Sequence, residues 1–466
     1  MKHKILISVA LSVFFQNTFA VVITVPAQYP TIQAAILASS NGDTVAVSPG
    51  TYFENINFRG KSIVLTSLFY LTSDTTYISN TIINGSAPVY PDTASCIILN
   101  SFEDSTTVIQ GFTITGGAGT KWFDIHGAGT FREGGGILTE FSSPLIQFNI
   151  IKDNLVNNTV GVSSTGGGAI RCGDGNPIIR NNTICNNQAY GYGGGIVLNY
   201  CTATIQNNLI VHNSGGLVYG GGGIWLTGAN TNTQVNVINN TIVNNHVTGT
   251  GIYGGKGGAV FVFSIQANLK NNIIWGNTQS AGGPFATFFS GLIDANYSDI
   301  QIAYTGIGNI STDPLFADSS YFLLSNASPC IDAGDSSALF NDLTISANIA
   351  EFPSMGTERS DMGAYGGQTV AVLPVCMPST TGINNIDNLL SFNIFPNPAD
   401  DILNLDYDVN LFKGAIEFTM TDLKGSEILS GMIQQHSISI KNFPAGIYNL
   451  VLKTISGNVF KQFMKK

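Results

Sequence analysis

A sequence motif repeats five times between Gly134 and Asn277. Each copy opens with a run of glycines and ends with two asparagine positions. The first position holds Asn149, Asn182, Asn208, Asn240 and Asn272, and the second holds Asn154, Asn187, Asn213, Asn245 and Asn277. Members of the first row are 33, 26, 32 and 32 residues apart. Repeats of this length, each too small to bury its own apolar face, predict a chain wound into a solenoid.

Within each copy, apolar and polar residues alternate over short runs, which is the period of a β-strand. Ile205, for example, is followed by Gln206. We therefore expect short strands that stack in parallel on their equivalents at a spacing of roughly 4.8 Å. The stacked asparagines would hydrogen-bond to one another and also adopt the left-handed backbone of tight turns.

Units such as GGGAIRCGDGNPIIRNNTICNN and GGGIVLNYCTATIQNNLIVHN resemble the right-handed parallel β-helix repeats of the pectate-lyase-like superfamily. The resemblance implies the handedness and a three-sheet cross-section, which the spacing alone leaves open. It implies no single function, because this fold carries lyases, hydrolases, adhesins and inert shafts. The predicted fold class is all-β, a right-handed parallel β-helix.

The N-terminal residues predict export and a capped solenoid. Residues 1–20 have a basic start, a short apolar run and small residues before a cleavage point, which is typical of a secretory signal. Thr31 is placed to cap a helix that Asn41 and Gly42 end. This helix and the following GDTVAVSPGTY resemble the N-terminal cap of pectate-lyase-like β-helices, which covers the open edge of the first coil.

The C-terminal residues resemble two further families. The pieces DPLF, SPCIDAG and DMGAYG resemble choice-of-anchor Q β-helix proteins, which are surface or exported proteins. FPNPA, DLKG and PAGIY, in that order, resemble the type A C-terminal sorting domain of the type IX (Por) secretion system, a small antiparallel β-sandwich. The resulting division is a signal peptide (1–20), a β-helix with its cap (21–372), a linker (373–390) and a sorting domain (391–466). The type IX machinery is one expected partner.

Composition excludes several classes of function. A net charge of −10 argues against a nucleic-acid partner, and no segment is long and apolar enough to predict a transmembrane span. The six cysteines show no paired spacing typical of zinc sites. Cys172 is expected in the core, and Cys330 with Cys376 is a candidate disulfide that the sequence does not establish. No cofactor is evident.

Calcium binding is an open alternative that the spacing of the C-terminal acids does not support. We expect these aspartates to cap turns of their own backbone instead. They are Asp313, Asp318, Asp332, Asp335 and Asp361.

One row of residues on the first strand of each repeat is expected to point outward. The row contains Leu138, Arg171, Val197, Trp225 and Phe261. If exposed, it would form an aromatic platform for sugar rings. The alternative is that loops cover the row and use it for ordinary packing.

Insertions just before the glycine runs are expected to leave the solenoid at one corner and form a wall. The largest insertion, AGTKWFDIHGAGTFRE, contains Lys121, His126 and Glu133. The later insertions contribute aromatic side chains to the predicted substrate-binding set, namely Tyr190, Tyr192, Tyr219 and Tyr253.

The chemistry of a polysaccharide-cleaving enzyme has candidates here but no clear signature. A lyase needs a cation to neutralise a uronate and a base. The cations are Arg171, Arg132 and Lys256, and the bases are His126, Tyr253 and His212, of which His212 is more readily structural. A glycosidase needs two convergent acids, for which Asp124 and Glu133 are the candidates, although acids on a loop are more often solvated.

Two functions therefore remain open from sequence. The first is a secreted or cell-surface β-helix that binds, and in one version cleaves, an extracellular polysaccharide. The second is a non-catalytic surface adhesin or coat protein. The exposure of Arg171, Trp225 and Phe261 discriminates between an open platform and a packed interior.

Overall fold

The computed structural model describes residues 20–376, apart from 217, 230–232, 251–252, 347 and 369–372, and residues 392–465, apart from 397–398, 408–416, 422–426, 434–435, 445 and 455–456. The predicted signal peptide (1–20) therefore lies almost wholly outside the described residues, as does most of the predicted linker (373–390). The chain forms two compact units, Met1–Pro378 and Ser379–Lys466.

The first unit is a right-handed parallel β-helix with three main sheets. Sheet 1 contains Val22–Val25, Thr44–Val47, Val64–Ser67, Val108–Gln110, Leu145–Gln147, Ile178–Arg180, Thr204–Gln206, Gln234–Ile238, Gln266–Lys270 and Leu292–Asn296. Sheet 2 contains Gly50–Tyr52, Thr81–Asn84, Thr113–Thr115, Ile150–Lys152, Thr183–Cys185, Leu209–Val211, Thr241–Val243, Ile273–Trp275 and Asp299–Ile300. Sheet 3 contains Ile56–Asn57, Ile97–Leu99, Ile137–Glu140, Ile170–Gly173, Ile196–Asn199, Ile224–Thr227, Val260–Phe263 and Phe285–Phe288.

Smaller elements complete this unit. A short strand follows sheet 2 in successive coils and forms sheet 4, which was not predicted: Leu155–Val156, Gln188–Ala189, Ser214–Gly215, His246–Val247 and Thr278–Gln279. Thr93–Ala94, Gly119–Phe123, Thr130–Glu133 and Ser164–Gly166 form a separate sheet, and Thr344–Ser346 pairs with Ile349–Ala350. The helices are Ile32–Ala38, Phe69–Thr72 and Thr76–Asn80.

Both predicted asparagine rows form buried ladders along the helix. The Nδ2 of Asn182 donates to the carbonyls of Ile146 and Arg180 at 2.9 and 2.8 Å, and to the Oδ1 of Asn208 in the next coil at 3.0 Å. Asn187 makes the equivalent bonds to Ile151, Cys185 and Asn213. Each amide thus closes a turn within its own coil and links three coils. The amides thereby pair main-chain groups that are buried at these corners.

The left-handed turn residues differ from the prediction. Positive φ belongs to the residue before each ladder position, as in Asn181 at 51° and Asn186 at 55°. The tolerance of asparagine for this backbone therefore explains the first residue of each doublet. Hydrogen bonding explains the second.

The N-terminal cap forms as predicted. Thr31 Oγ1 accepts the N–H of Ala34 at 3.1 Å at the start of the helix Ile32–Ala38. The carboxylate of Glu54 accepts the N–H groups of Ile32 and Gln33, each at 2.9 Å. Ile32, Ala35 and Ile36 are fully buried and complete the core above the first coil.

The C-terminal part of the first unit runs back along the outside of sheet 2. Phe322, Ala364, Tyr365 and Leu373 pack on outward-facing side chains of that sheet, such as Leu209. Strands such as Leu209–Val211 are therefore apolar on both faces, as expected of parallel strands that are covered on both sides. The segment does more than close the end of the solenoid, because it covers the outer face of sheet 2 at these strands, whereas Gly50 and Thr51 of the first strand stay exposed.

A disulfide joins Cys185 of sheet 2 to Cys376 at the end of this segment. The suggested Cys330–Cys376 pair is wrong, because Cys330 is a buried free thiol whose Sγ lies 3.2 Å from Asp299 Oδ2. Cys172 lies in the core as predicted.

Three of the C-terminal aspartates cap turns of their own backbone, as expected: Asp313, Asp318 and Asp335 each accept the N–H two residues on, at 2.9, 2.8 and 3.0 Å. The other two differ from the expectation and link separate segments, because Asp361 accepts the N–H of Asp332 at 2.9 Å and Asp332 accepts the N–H of Thr357 at 2.8 Å. Across the described residues, no group of three or more His, Cys, Asp and Glu side chains is arranged to hold a metal ion. No helix among them is long and apolar enough to cross a membrane.

The second unit is a small antiparallel β-sandwich. One sheet contains Phe392–Phe395, Ile402–Tyr407 and Ser437–Ser439, and the other contains Glu417–Thr421, Glu427–Met432, Gly446–Thr454 and Gly457–Lys465. Both sheets contribute to one apolar core, with Leu403 and Leu405 from the first and Met420, Leu450 and Phe463 from the second.

The ladders predict a large effect for one amide. We expect Asn208→Ala to lower the free energy of unfolding by about 3 kcal/mol, because it leaves buried groups of three coils without partners. Asn236→Ala, on the outward face of sheet 1, is the control and should cost less than about 1 kcal/mol. Urea unfolding of the full chain measures both, and equal losses would contradict the ladder's role.

The disulfide generates a second prediction. Replacing both Cys185 and Cys376 by Ser should lower the free energy of unfolding by about 2 to 5 kcal/mol, because the bond closes a long loop. A reducing agent should destabilise the native chain by the same amount and leave the double variant unchanged. Peptide mapping that linked Cys376 to Cys330 would contradict the assignment.

Candidate functional site

The predicted outward row exists on sheet 3, but it is not exposed. Leu138, Arg171, Val197, Trp225 and Phe261 are mutual neighbours in the strand register. All five are buried, with Trp225 the most exposed at 7%. The expectation of an open platform is therefore wrong, and the alternative in which loops cover the row is correct. Trp225 and Phe261 stack with ring centroids 4.2 Å apart, in packing contact rather than facing solvent.

A hairpin formed by Gly119–Phe123 and Thr130–Glu133, the 119–133 hairpin, crosses this face of sheet 3. Its tip reaches the residues that follow two sheet 3 strands. His126 Nε2 lies 3.0 Å from Asp174 Oδ1, and the His126 ring stacks on Tyr200 with centroids 3.8 Å apart. The hairpin therefore spans the face from one edge to the other.

Arg171 is held under the hairpin in a buried charge cluster. Its Nε donates to Glu133 Oε2 at 3.0 Å, and its Nη1 donates to Glu140 Oε2 and to the carbonyl of Thr139. The Trp122 ring covers the guanidinium at 3.9 Å. Glu133 also accepts from Trp122 Nε1 at 2.9 Å and from the Tyr192 hydroxyl. The cluster thus ties the hairpin, sheet 3 and the next insertion together.

The electrostatics of the cluster follow from its burial. Burial alone would lower the pKa of Arg171, but the charges of Glu133 and Glu140 raise it above its ordinary value. Burial raises the pKa of Glu140, and Arg171 only partly offsets this. Burial and then Glu133 raise the pKa of Tyr192 well above its usual range. Arg171 is therefore a charged, structural residue in this state.

The insertions form one wall, as predicted. Tyr192 contacts Tyr219 at 5.8 Å between ring centroids, Tyr219 stacks on Tyr253 at 5.9 Å, and Tyr253 contacts Phe288 at 4.9 Å. Tyr190 is 41% exposed. The wall leans over Trp225 and Phe261 and makes a shared aromatic cluster with them.

The two candidate acids, Asp124 and Glu133, do not pair with each other, and neither binds Arg132. Each of the three residues has its own partners. Asp124 is 7% exposed and caps the hairpin turn, accepting the N–H groups of His126 and Ala128. Arg132 is buried and donates to the carbonyls of Pro91 and Gly119 at 2.8 and 2.9 Å and to Asp92. The two acids are buried, so the expectation that they are solvated is wrong.

The remaining candidates are dispersed. His212 follows a strand of sheet 2 and lies 6.4 Å from the Phe322 ring, which agrees with its structural interpretation. Lys256 lies 5.0 Å from the Phe288 ring at the C-terminal end of the aromatic cluster.

The hairpin separates two concave regions of the face. On one side lies a pocket of about 200 Å³, here called the aromatic pocket. Its lining residues are Trp122, Asp124, Ala128, Phe131, Tyr192, Asn199, Tyr200, Tyr219, Trp225, Thr227 and Phe263.

On the other side lies an open depression, here called the front groove. It consists of two adjoining concavities of about 510 Å³ each, which share Asn57, Arg59, Tyr90, Thr93 and Ile98. The concavity beside the hairpin also includes Lys121, Phe123, Leu138, Glu140 and Arg171, and the far one extends to Leu37 and Phe53.

Sequence reasoning missed the front groove because it followed the outward row only through the strong repeats. Asn57 and Ile98 continue that row toward the N-terminus, next to Leu138. The alternation in the early coils was the available signal. Tyr90 lies on a connection and Phe123 on a hairpin strand outside the repeats, so neither position carried such a signal.

Residues 393–466 match the protein family described as Secretion system C-terminal sorting domain. The C-terminal unit is a secretion sorting domain. The sorting domain implies the type IX machinery as a partner, and the protein is therefore secreted or displayed at the cell surface. No curated protein of similar sequence was found.

Two solved structures show weak similarity to the chain. One is a pectin methylesterase in complex with a hexasaccharide, at 10% identity and a TM-score of 0.27, covering 61% of this chain and 90% of that one. The other is the receptor-binding domain of the siphovirus 9NA tailspike, at 10% identity and a TM-score of 0.19, covering 96% and 98%.

The charge cluster predicts a pH-dependent penalty. Arg171→Met should lower the free energy of unfolding by about 3 to 5 kcal/mol near neutral pH, because it leaves two buried carboxylates without a cation. Burial raises the pKa of Glu140, and without Arg171 nothing would offset this, so the folded state would bind more protons than the unfolded state and stability would fall as pH rises. We expect a smaller penalty at pH 4 than at pH 8.

Arg180→Met is the matched control for this prediction. Arg180 lies outward on sheet 1 and donates to Gln147 Oε1 at 2.8 Å. Arg180→Met should lower the free energy of unfolding by less than about 1 kcal/mol at both pH values. Thermal unfolding of the two variants measures the difference, and parallel pH curves would contradict a buried cluster.

Proposed function

We propose that the protein binds an anionic extracellular polysaccharide in the front groove. The observation that carries the proposal is the combination of exposed aromatic side chains and unpaired cations along one open groove. The sorting domain places the chain outside the cell, where such polymers occur. The proposal moves the binding site from the covered platform to the N-terminal coils.

The shape of the groove suits an extended chain. Asn57, Ile98, Leu138 and Arg171 belong to four neighbouring strands, which span about 14 Å at the usual strand spacing. An oligosaccharide segment fits this length better than a single sugar does. The hairpin crosses the middle of sheet 3, at Arg171, Asp174 and Tyr200, and the groove lies on its N-terminal side.

Exposed rings flank the groove. Tyr90 is 71% exposed and Phe123 is 67% exposed, although both are large apolar side chains. Clusters of such rings mark binding surfaces, and their faces pack against the apolar faces of sugars. Phe53 extends this character into the far concavity.

The charges favour an anionic ligand. Among the residues that the structure describes, the guanidinium of Arg59 and the ammonium of Lys121 have no ion-pair partner, and both line the concavity beside the hairpin. In a chain of net charge −10, they provide a local positive field. A carboxylate or sulfate on the polymer would pair with them.

Glu140 adds an acceptor for a sugar hydroxyl. Its Oε2 is bound to Arg171, but its buried Oε1 has no hydrogen-bond partner. A buried oxygen without a partner is costly, and a ligand hydroxyl would satisfy it. Among the described residues that line this concavity, Glu140 is the only acid, and both oxygens of Glu54 in the far concavity already accept the N–H groups of Ile32 and Gln33. Hydrolysis by a glycosidase needs two convergent acids, so we propose binding without cleavage.

A glycan panel tests the proposal. We expect an acidic polysaccharide to bind the full chain, and Arg59→Ala and Lys121→Ala each to weaken binding about fivefold to tenfold. Arg180→Ala, on sheet 1, should leave affinity unchanged. Binding should weaken with added salt.

Three outcomes distinguish the alternatives. Neutral glycans that bind as well as acidic ones would contradict the role of Arg59 and Lys121. Absence of binding to any glycan would overturn the proposal. Release of unsaturated or shortened products would show that the groove cleaves as well as binds.

A further inference from the structure

The aromatic pocket differs from the front groove in size and in charge. Its volume of about 200 Å³ suits a compact group, since a cavity of about 150 Å³ accommodates benzene. Its lining contains one acid, Asp124, and no Lys or Arg. Trp122 lines both regions, so the hairpin separates them.

The rings surround the pocket rather than fill it as a single stack. Tyr192 and Trp225 are tilted by 39° at 5.0 Å, whereas Tyr219 meets Trp225 at 62° and 5.8 Å. Faces and edges of different rings therefore point toward one space. Such an arrangement presents the negative faces of several π-systems to a ligand.

The carboxylate of Asp124 has no cation. It is 7% exposed and accepts only the backbone N–H groups of His126 and Ala128, and no described Lys or Arg side chain forms an ion pair with it. A carboxylate buried in this way is costly unless it is paired. The guanidinium of Arg171 lies over the Trp122 ring and is already matched by Glu133 and Glu140.

A polar atom without a partner completes the lining. The buried Oγ1 of Thr227 makes no hydrogen bond, although Thr227 lines the pocket. It is available to a hydroxyl group carried by a ligand.

From these observations we infer that the aromatic pocket binds a compact organic ammonium group. Aromatic faces attract cations, and a nearby carboxylate adds charge pairing to that attraction. A neutral sugar would use the rings but not Asp124. The site is independent of the front groove and of the proposed polysaccharide. Two sources supply this chemistry, a quaternary ammonium such as choline and the protonated amine of an amino sugar.

Matched pairs of small molecules test the inference. Choline and its uncharged isostere 3,3-dimethylbutan-1-ol form one pair, and glucosamine and glucose form the other. Trp122 and Trp225 both line the pocket, so intrinsic fluorescence of the full chain reports occupancy at constant ionic strength. We expect saturable binding of at least one cation and binding about tenfold weaker for its neutral partner. The tighter of the two cations identifies the source.

Asp124→Asn keeps the size of the side chain and removes its charge. It should weaken binding of the cation about tenfold and leave binding of the neutral partner unchanged. If this variant does not fold, Tyr200→Leu removes one half-buried ring from the lining and should also weaken the cation. Equal binding of charged and neutral partners, absence of saturable binding, or an unchanged affinity in the variant that folds would overturn the inference.

Discussion

The hydrogen bonds of the two asparagine ladders are the constraint on which the β-helix depends. Each ladder amide pairs the main chain of its own corner with the coils before and after it. The corners can therefore be buried without unpaired groups, and successive strands remain in one register. That register fixes which side chains point outward on sheet 3. The buried charge cluster, the front groove and the aromatic pocket all occupy this one face because the ladders hold its rows in line.

The division of that face results from a single buried cation. Arg171 stands in a row of apolar residues and needs two carboxylates, Glu133 from the hairpin and Glu140 from its own sheet. Pairing with Glu133 brings the hairpin down onto the sheet. The coils beyond it are covered by aromatic insertions, whereas the coils before it stay open. The ion pair between Arg171 and Glu133 thus lies at the boundary between the open and the covered part of the face.

The sequence predicted the periodic features well and the covering contacts poorly. The repeat spacing identified the ladder positions and the outward row, because both follow from strand period and coil length. It did not predict that Arg171 and Trp225 are buried, since their covers come from insertions without a period. Cys185 and Cys376 are 191 residues apart, and nothing local relates them. The positions of Asn57 and Ile98 could have been predicted from the sequence, because they continue the outward row into the early coils.

The residues that close the β-helix all precede the sorting domain in the sequence. The residues that cover sheet 2, from Phe322 to Leu373, and the disulfide at Cys376 all precede residue 393. The disulfide fastens the last turn of this cover to a central coil, in a protein whose destination is oxidising enough to keep it. Both concave regions on sheet 3 are also built from residues of the first unit. The residues that cover sheet 2 and the residues that line both concave regions therefore all precede the sorting domain in the sequence.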